Sequence, residues 1–204
     1  MIAALVLASA FAALQNEWSH VRDYTVNVEA HEVLDGHTYN DGLRYEYRRP
    51  DRARLEIIYG AQRGSIVTWN GDDSATAYRR DLSFLKVRYG ARDRRVTSAR
   101  GNGVLTPNFD AIIACFESHP HSITESPGPS IDGNATTAIT LDRSNFSCPA
   151  DSKLDHDITR DVLYVSKRTH FPLLRERYAG SARVESWKLT NLKINSGLTD
   201  RDLR

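Results

Sequence analysis

Two short clusters of side chains could in principle hold a metal ion: His119-Pro120-His121 and Asp155-His156-Asp157. Neither has the spacing of a ligand set. An extended Asp-His-Asp run sends alternate side chains to opposite faces, and such residues in polar stretches are usually solvated loop residues. The sequence has no zinc-protease helix pattern, phosphate-cradling glycine loop or dinucleotide fingerprint. No metal and no cofactor is therefore expected. A nucleophile elbow of the form G-x-S-x-G is also absent. Cys115 falls beside Phe116 on the apolar side of a predicted helix, where a thiol is inert. No catalytic residue is assigned, and the chain is read as a binding protein, not an enzyme.

The two cysteines offer different chemistry. In an oxidising compartment Cys115 and Cys148 could pair, and closing a loop of about 34 residues would contribute roughly 3–4 kcal/mol. The alternative is a buried Cys115 and an unrelated loop Cys148; spacing alone does not decide between them. The compartment is read from residues 1–14, which are uncharged and dominated by Ala, Leu, Val and Ile. That run is too short to span a bilayer as a helix. It fits the apolar part of a secretory leader, with small-residue sites at Ala8-Ser9-Ala10 and Ala10-Phe11-Ala12 but no preceding Lys or Arg. A buried N-terminal helix is the competing reading. No Cys follows the cleavage sites, so a lipid anchor is not expected. We expect a signal peptide over residues 1–13, one domain over 14–204, and a place in the periplasm or cell envelope.

The elements that would position these groups are mostly strands. Tyr24, Val26, Val28 and Ala30 alternate with Thr25, Asn27, Glu29 and His31, which predicts a half-buried strand over 22–34. Leu43, Tyr45 and Tyr47 alternate in the next strand, and Pro50 ends it. Strands follow at 52–59, 65–69 and 75–79, with Asn70-Gly71 as the strongest hairpin signal. The stretch 82–89 is apolar enough for another strand, and 92–95 reads as a solvated loop. Thr106-Pro107 predicts a capped helix, with Asp110 at its positive end. Phe109, Ile112, Ile113 and Phe116 make one stripe on it. Residues 119–134 read as a mobile loop, 136–141 as a strand and 142–161 as a polar excursion. Strands at 162–165, 171–178 and 183–194 complete the chain. The 204 residues carry 27 Lys and Arg against 26 Asp and Glu. That balance gives no reason to expect nucleic-acid binding. The expected architecture is mainly β with α (α+β): a curved antiparallel sheet, or unclosed β-barrel, with a helical plug or lid.

Several motifs, in order, resemble a known group. Arg49-Pro50 followed by Arg52-Ala53-Arg54-Leu55-Glu56 looks like a strand pair of periplasmic lipoprotein carriers. Ile66-Val67-Thr68-Trp69-Asn70-Gly71 is similar to their next hairpin, with Tyr78 as the second aromatic. Near the end, the run from Val165 to Pro172 and the tail from Leu192 to Asp200 resemble those of an uncharacterised bacterial branch. The group is the LolA/LolB-like superfamily. The resemblance implies an unclosed barrel whose cavity accepts acyl chains or a lipidated protein, and it makes Arg49 the lid latch. It also implies a helix before the first strand longer than the 14–21 available after cleavage. An Arg fork can bond several lid groups at once, whereas a solvated edge-strand charge is the plainer reading of Arg49.

Tyr24, Val26, Val28, Tyr45, Tyr47, Leu55, Ile57, Val67 and Trp69 are the cavity-lining candidates, and the helix of Phe109, Ile112, Ile113 and Phe116 is the lid or plug. The competing reading makes these residues an ordinary core under that helix. The expected function is non-catalytic binding of a lipid or lipidated protein by a monomer, as in lipoprotein sorting or carriage. The alternative is an envelope interaction or sensor module with a filled core and a protein partner.

Overall fold

A computed structural model of the chain describes residues 9–148, 151–152 and 154–204; residues 1–8 of the expected leader lie outside the described residues. Period-two alternation produces strands β1 (Asp23–Leu34), β2 (His37–Arg48), β3 (Arg52–Tyr59), β4 (Ser65–Trp69), β5 (Ser74–Arg79) and β6 (Val87–Gly90). After helix α2 (Phe109–Glu117) come β7 (Ile123–Pro127), β8 (Thr136–Asp142), β9 (Arg160–Ser166), β10 (Pro172–Ala179) and β11 (Ala182–Ile194). Helix α1 (Ala10–Ser19) precedes them all.

The strands form one antiparallel sheet in the order β6-β5-β4-β3-β2-β1-β11-β10-β9-β8-β7. Each strand pairs with its sequence neighbour except at one junction, where β1 meets β11 with Val28 opposite Leu189 and Ala30 opposite Trp187. Two meanders are thus joined side by side. The terminal strands β6 and β7 do not pair with each other, so the barrel stays unclosed.

Both helices lie against the concave face. Ser9 caps α1, and Glu125 of β7 accepts hydrogen bonds from the backbone N–H of Ala10 and Phe11, both at 2.9 Å. Ala10 to Ala13, the last residues of the expected leader, form the first turn of this helix, and Phe11 packs on Phe116 of α2 at 5.8 Å between ring centroids. In α2 the predicted stripe of Phe109, Ile112, Ile113 and Phe116 is fully buried. No helix among the described residues is long and apolar enough to cross a membrane.

Four local expectations are corrected. The cap of α2 is Asn108, whose Oδ1 accepts from Asp110 N at 2.9 Å; Thr106 instead closes the preceding turn by accepting from Gly103 N. Of Asn70-Gly71 only Gly71 takes a positive φ, and the turn spans 70–73, held by Trp69 Nε1 donating to the Asp72 carbonyl. Residues 80–82 are a 3-10 turn, which shortens the expected strand over 82–89 to β6. The stretch 119–134 contains edge strand β7, paired with β8; its side chains are largely exposed, so it carries no apolar alternation to betray it.

Candidate functional site

The concave face has three regions, each set by which side chains the strand registers bring side by side. At the end where β1 begins and β2 stops, the face is aromatic. Trp18 of α1 packs edge-on against Tyr24 at 5.2 Å and Phe109 at 5.1 Å, and Tyr24 also contacts Tyr45 and Tyr47. The Tyr24 hydroxyl accepts from Phe109 N and donates to the Pro107 carbonyl, both at 3.2 Å, which fixes the start of α2. Burial pushes the Tyr24 and Tyr45 hydroxyls well above the usual phenol range.

Asp110, in the first turn of α2, gathers the surrounding donors. Arg49 donates through Nε (2.9 Å to Oδ2) and Nη2 (2.6 Å to Oδ1), Trp18 Nε1 donates at 2.6 Å, and Tyr47 OH lies at 3.0 Å. Arg49 also reaches the Ser19 carbonyl at the end of α1 at 3.4 Å. One guanidinium therefore holds the sheet to both helices. Burial opposes the Asp110 charge, but the Arg49 and Trp18 hydrogen bonds outweigh it and leave its carboxyl below the usual range. The Arg49-Pro50 peptide is cis.

At the opposite end of the strands, over β2 to β5, the face is open. A cavity of about 580 Å³ is lined by Leu43, Leu55, Ile57, Val67 and Ala77, with Ala30 and Trp187 toward the centre. Its far wall comes from the excursion between β5 and α2, including Leu82, Leu85, Val87, Tyr89, Val96 and Pro107. Glu32, Asn102 and Ser98 form its polar end.

Beyond that end the registers build an ionic row. Glu32 lies opposite Glu185, Glu185 opposite Arg177, Arg177 opposite Asp161, and Asp161 opposite Leu141. Arg177 is 1% exposed and bonds Glu185 at 3.0 Å, Asp155 at 2.9 Å and Asp151 at 3.2 Å. Arg175 bonds Asp161 through both Nε (3.0 Å) and Nη2 (2.5 Å). Arg100 bonds Glu185 and Asp157, and Arg143 pairs with Asp151. Asp161 shows burial overcome by Arg175, Arg177 and Arg143: its carboxyl lies below the usual range. Glu32 shows the reverse, because burial and the facing Glu185 raise it, while Asn102, Ser98 and the Arg100 N–H offset only part.

The structure thus divides the predicted lining residues. Leu55, Ile57 and Val67 line the cavity. Tyr24, Val26, Val28, Tyr45 and Tyr47 are buried in the packed core, and Trp69 is half-buried against it. Cys115 and Cys148 form a disulfide, which ties α2 to the loop after β8. Asp155, expected to be solvated, is 2% exposed, because Arg177 gives it a buried partner. His121 is exposed, and His119 stacks on Phe146 at 3.5 Å. No group of three or more potential metal ligands occurs among the described residues. Sequence reasoning missed Glu32 as part of the site, although its parity with Val28 and Ala30 put it on the concave face.

No protein-family model and no curated protein matches the chain. Among solved structures, MucB matches with a TM-score of 0.52 at 10% identity, over 97% of this chain and 63% of that one. The LppX lipoprotein of Mycobacterium tuberculosis matches at 0.48 and 13%, covering 93% and 97%. A LolA superfamily protein from Nitrosomonas europaea matches at 0.45 and 13%, covering 97% and 98%. At such identities the likeness is one of fold. An unclosed antiparallel sheet with two helices packed against it is the fold of this chain, and it shares that fold with about two thirds of the MucB chain.

Proposed function

We propose that this is an exported cell-envelope protein that binds an acyl chain or lipidated partner in the cavity over β2 to β5, without catalysis. The observation that carries the reading is the cavity itself. Its volume of about 580 Å³ falls in the range of small-molecule sites, roughly 300–1,000 Å³, and its walls are mostly apolar, aliphatic and aromatic together, with Asp41, Arg79, Arg94 and Arg95 among the lining. Glu32 and Asn102 at one end suit a polar head. Arg49 acts as the latch, because releasing Asp110 frees the start of α2, and Pro107 just before it is part of the cavity wall. Cleavage after Ala10, three residues earlier than the expected end of the leader at residue 13, would keep Phe11 and its contact with Phe116 in the mature domain.

The test is native mass spectrometry of protein purified from the envelope, followed by extraction and by uptake of a fluorescent fatty acid. We expect co-purified acyl chains in fixed stoichiometry, and uptake abolished in Ala77→Trp, which fills the cavity. A clean apo mass with no uptake would instead favour a protein-interaction module. The packed end of the face, where five of the nine expected lining residues are buried away from the cavity, is the observation on that side.

A further inference from the structure

The excursion after β5 has a second property, separate from its role as cavity wall. Residues 79–95 contain seven Arg or Lys (Arg79, Arg80, Lys86, Arg88, Arg92, Arg94, Arg95) against two Asp, in a chain whose net charge is only +1. At the tip of this segment the apolar side chains face outward. Phe84 is 84% exposed and Leu85 59%, flanked by Leu82 and Val87 at about 40% each. Ile58, Tyr59 and Tyr39, also exposed, lie at the same end of the sheet, where β3 stops and β2 starts.

A water-facing Phe-Leu pair within a cationic belt has a chemical counterpart in an anionic lipid surface. Apolar rings enter the headgroup–acyl boundary, while arginines and lysines meet phosphates. Several of these cations already have partners: Arg79 with Asp81, Arg80 with Glu56, Arg88 with Asp72 and Arg95 with Asp93. Their side chains are still 52–69% exposed, and exposed pairs hold weakly enough for a phosphate to compete. Phe84 projects from a turn and is not part of the cavity lining, which suits insertion into a fluid phase better than docking on a preformed protein surface. We propose that the 79–95 segment docks this protein on anionic membrane, with Phe84 as the inserted anchor. Leu82, Leu85 and Val87 line the cavity as well, so the docked protein would present the cavity rim to the lipid. The docking does not depend on what the cavity holds.

The test is vesicle flotation of the full chain with phosphatidylcholine alone and with phosphatidylcholine mixed with phosphatidylglycerol. We expect flotation with the anionic vesicles only, weakened by added salt. Phe84→Asp should reduce it about tenfold or more, Phe84→Trp should retain it, and both variants should melt like the parent, since the side chain is exposed. Failure of the parent to float with anionic vesicles would overturn the proposal. So would flotation independent of lipid charge, or equal flotation of Phe84→Asp. Fatty-acid uptake is read separately, so a protein that takes up lipid but does not float loses only the docking proposal.

Discussion

Two stretches of the same concave face, at the same end of the strands, are filled in opposite ways. Over β8 to β11 the row from Glu185 through Arg177 to Asp161 is roofed by residues of the excursions before α2 and after β8, and its guanidiniums and carboxylates pair with each other, although Arg177 Nε, Arg175 Nη1 and Asp155 Oδ1 are left without a hydrogen bond. Over β2 to β5 the facing residues are Leu43, Leu55, Ile57 and Val67, and space remains among them. A buried charge needs a partner at bonding distance, so an ionic filling brings its own loops inward and closes. Aliphatic side chains make no such directional demand, so an apolar face can stay open for a guest.

That contrast can be broken from either side. Arg177→Ala should have the largest effect, about 3–5 kcal/mol of lost stability, because it strands Asp155, Asp161 and Glu185 without their shared cation. Leu55→Ala, beside the cavity, should fall near the low end of core truncations, about 2 kcal/mol; denaturant melts of the two variants measure the difference. Equal losses would mean that the two stretches are packed alike. Cys115→Ala with Cys148→Ala should fall between these two, losing roughly 3–4 kcal/mol in the chain-entropy account, read as the shift between the double variant and the oxidised parent.

The smallest effect is electrostatic. Glu32 faces Glu185, Asn102, Ser98 and the Arg100 backbone, and its folded pKa is raised. Its contribution to stability is therefore fully present below its unfolded pKa and lost as pH rises through the folded value. Asp161 runs the other way: its depressed pKa gives stability that is lost as pH falls through the folded value. In stability profiles from acid to neutral pH, Glu32→Gln should remove a decline on the neutral side and leave the acid limb in place. A parent and variant with parallel profiles would show that Glu32 is not buried against Glu185.

The strands were legible because burial on one face writes a period of two into the sequence, and β3 and β4 fall where alternation and the flanking Pro50 and Gly64 place them. The ionic row was not legible. Arg177 and Asp151 are 26 residues apart and Arg100 and Glu185 are 85, so nothing local distinguishes them from solvated charges. The same blindness made 142–161 look like a polar excursion, when Arg143, Asp155 and Asp161 are buried. The division of the lining candidates was also hidden. Tyr24 and Leu55 read alike as inward-facing apolar residues and both are buried, but Tyr24 lies under α1 and α2 while Leu55 borders the cavity.

Helix α2 is held differently at its two ends. Near its last turn a covalent bond from Cys115 reaches the loop after β8, while its first turn is held through Asp110 by hydrogen bonds. A rod pinned so unevenly is a lever with its fulcrum built in. If it moves, it should pivot about Cys115 and swing its Asp110 end, carrying Pro107 away from the cavity, so the sense of opening follows from how the two ends are attached.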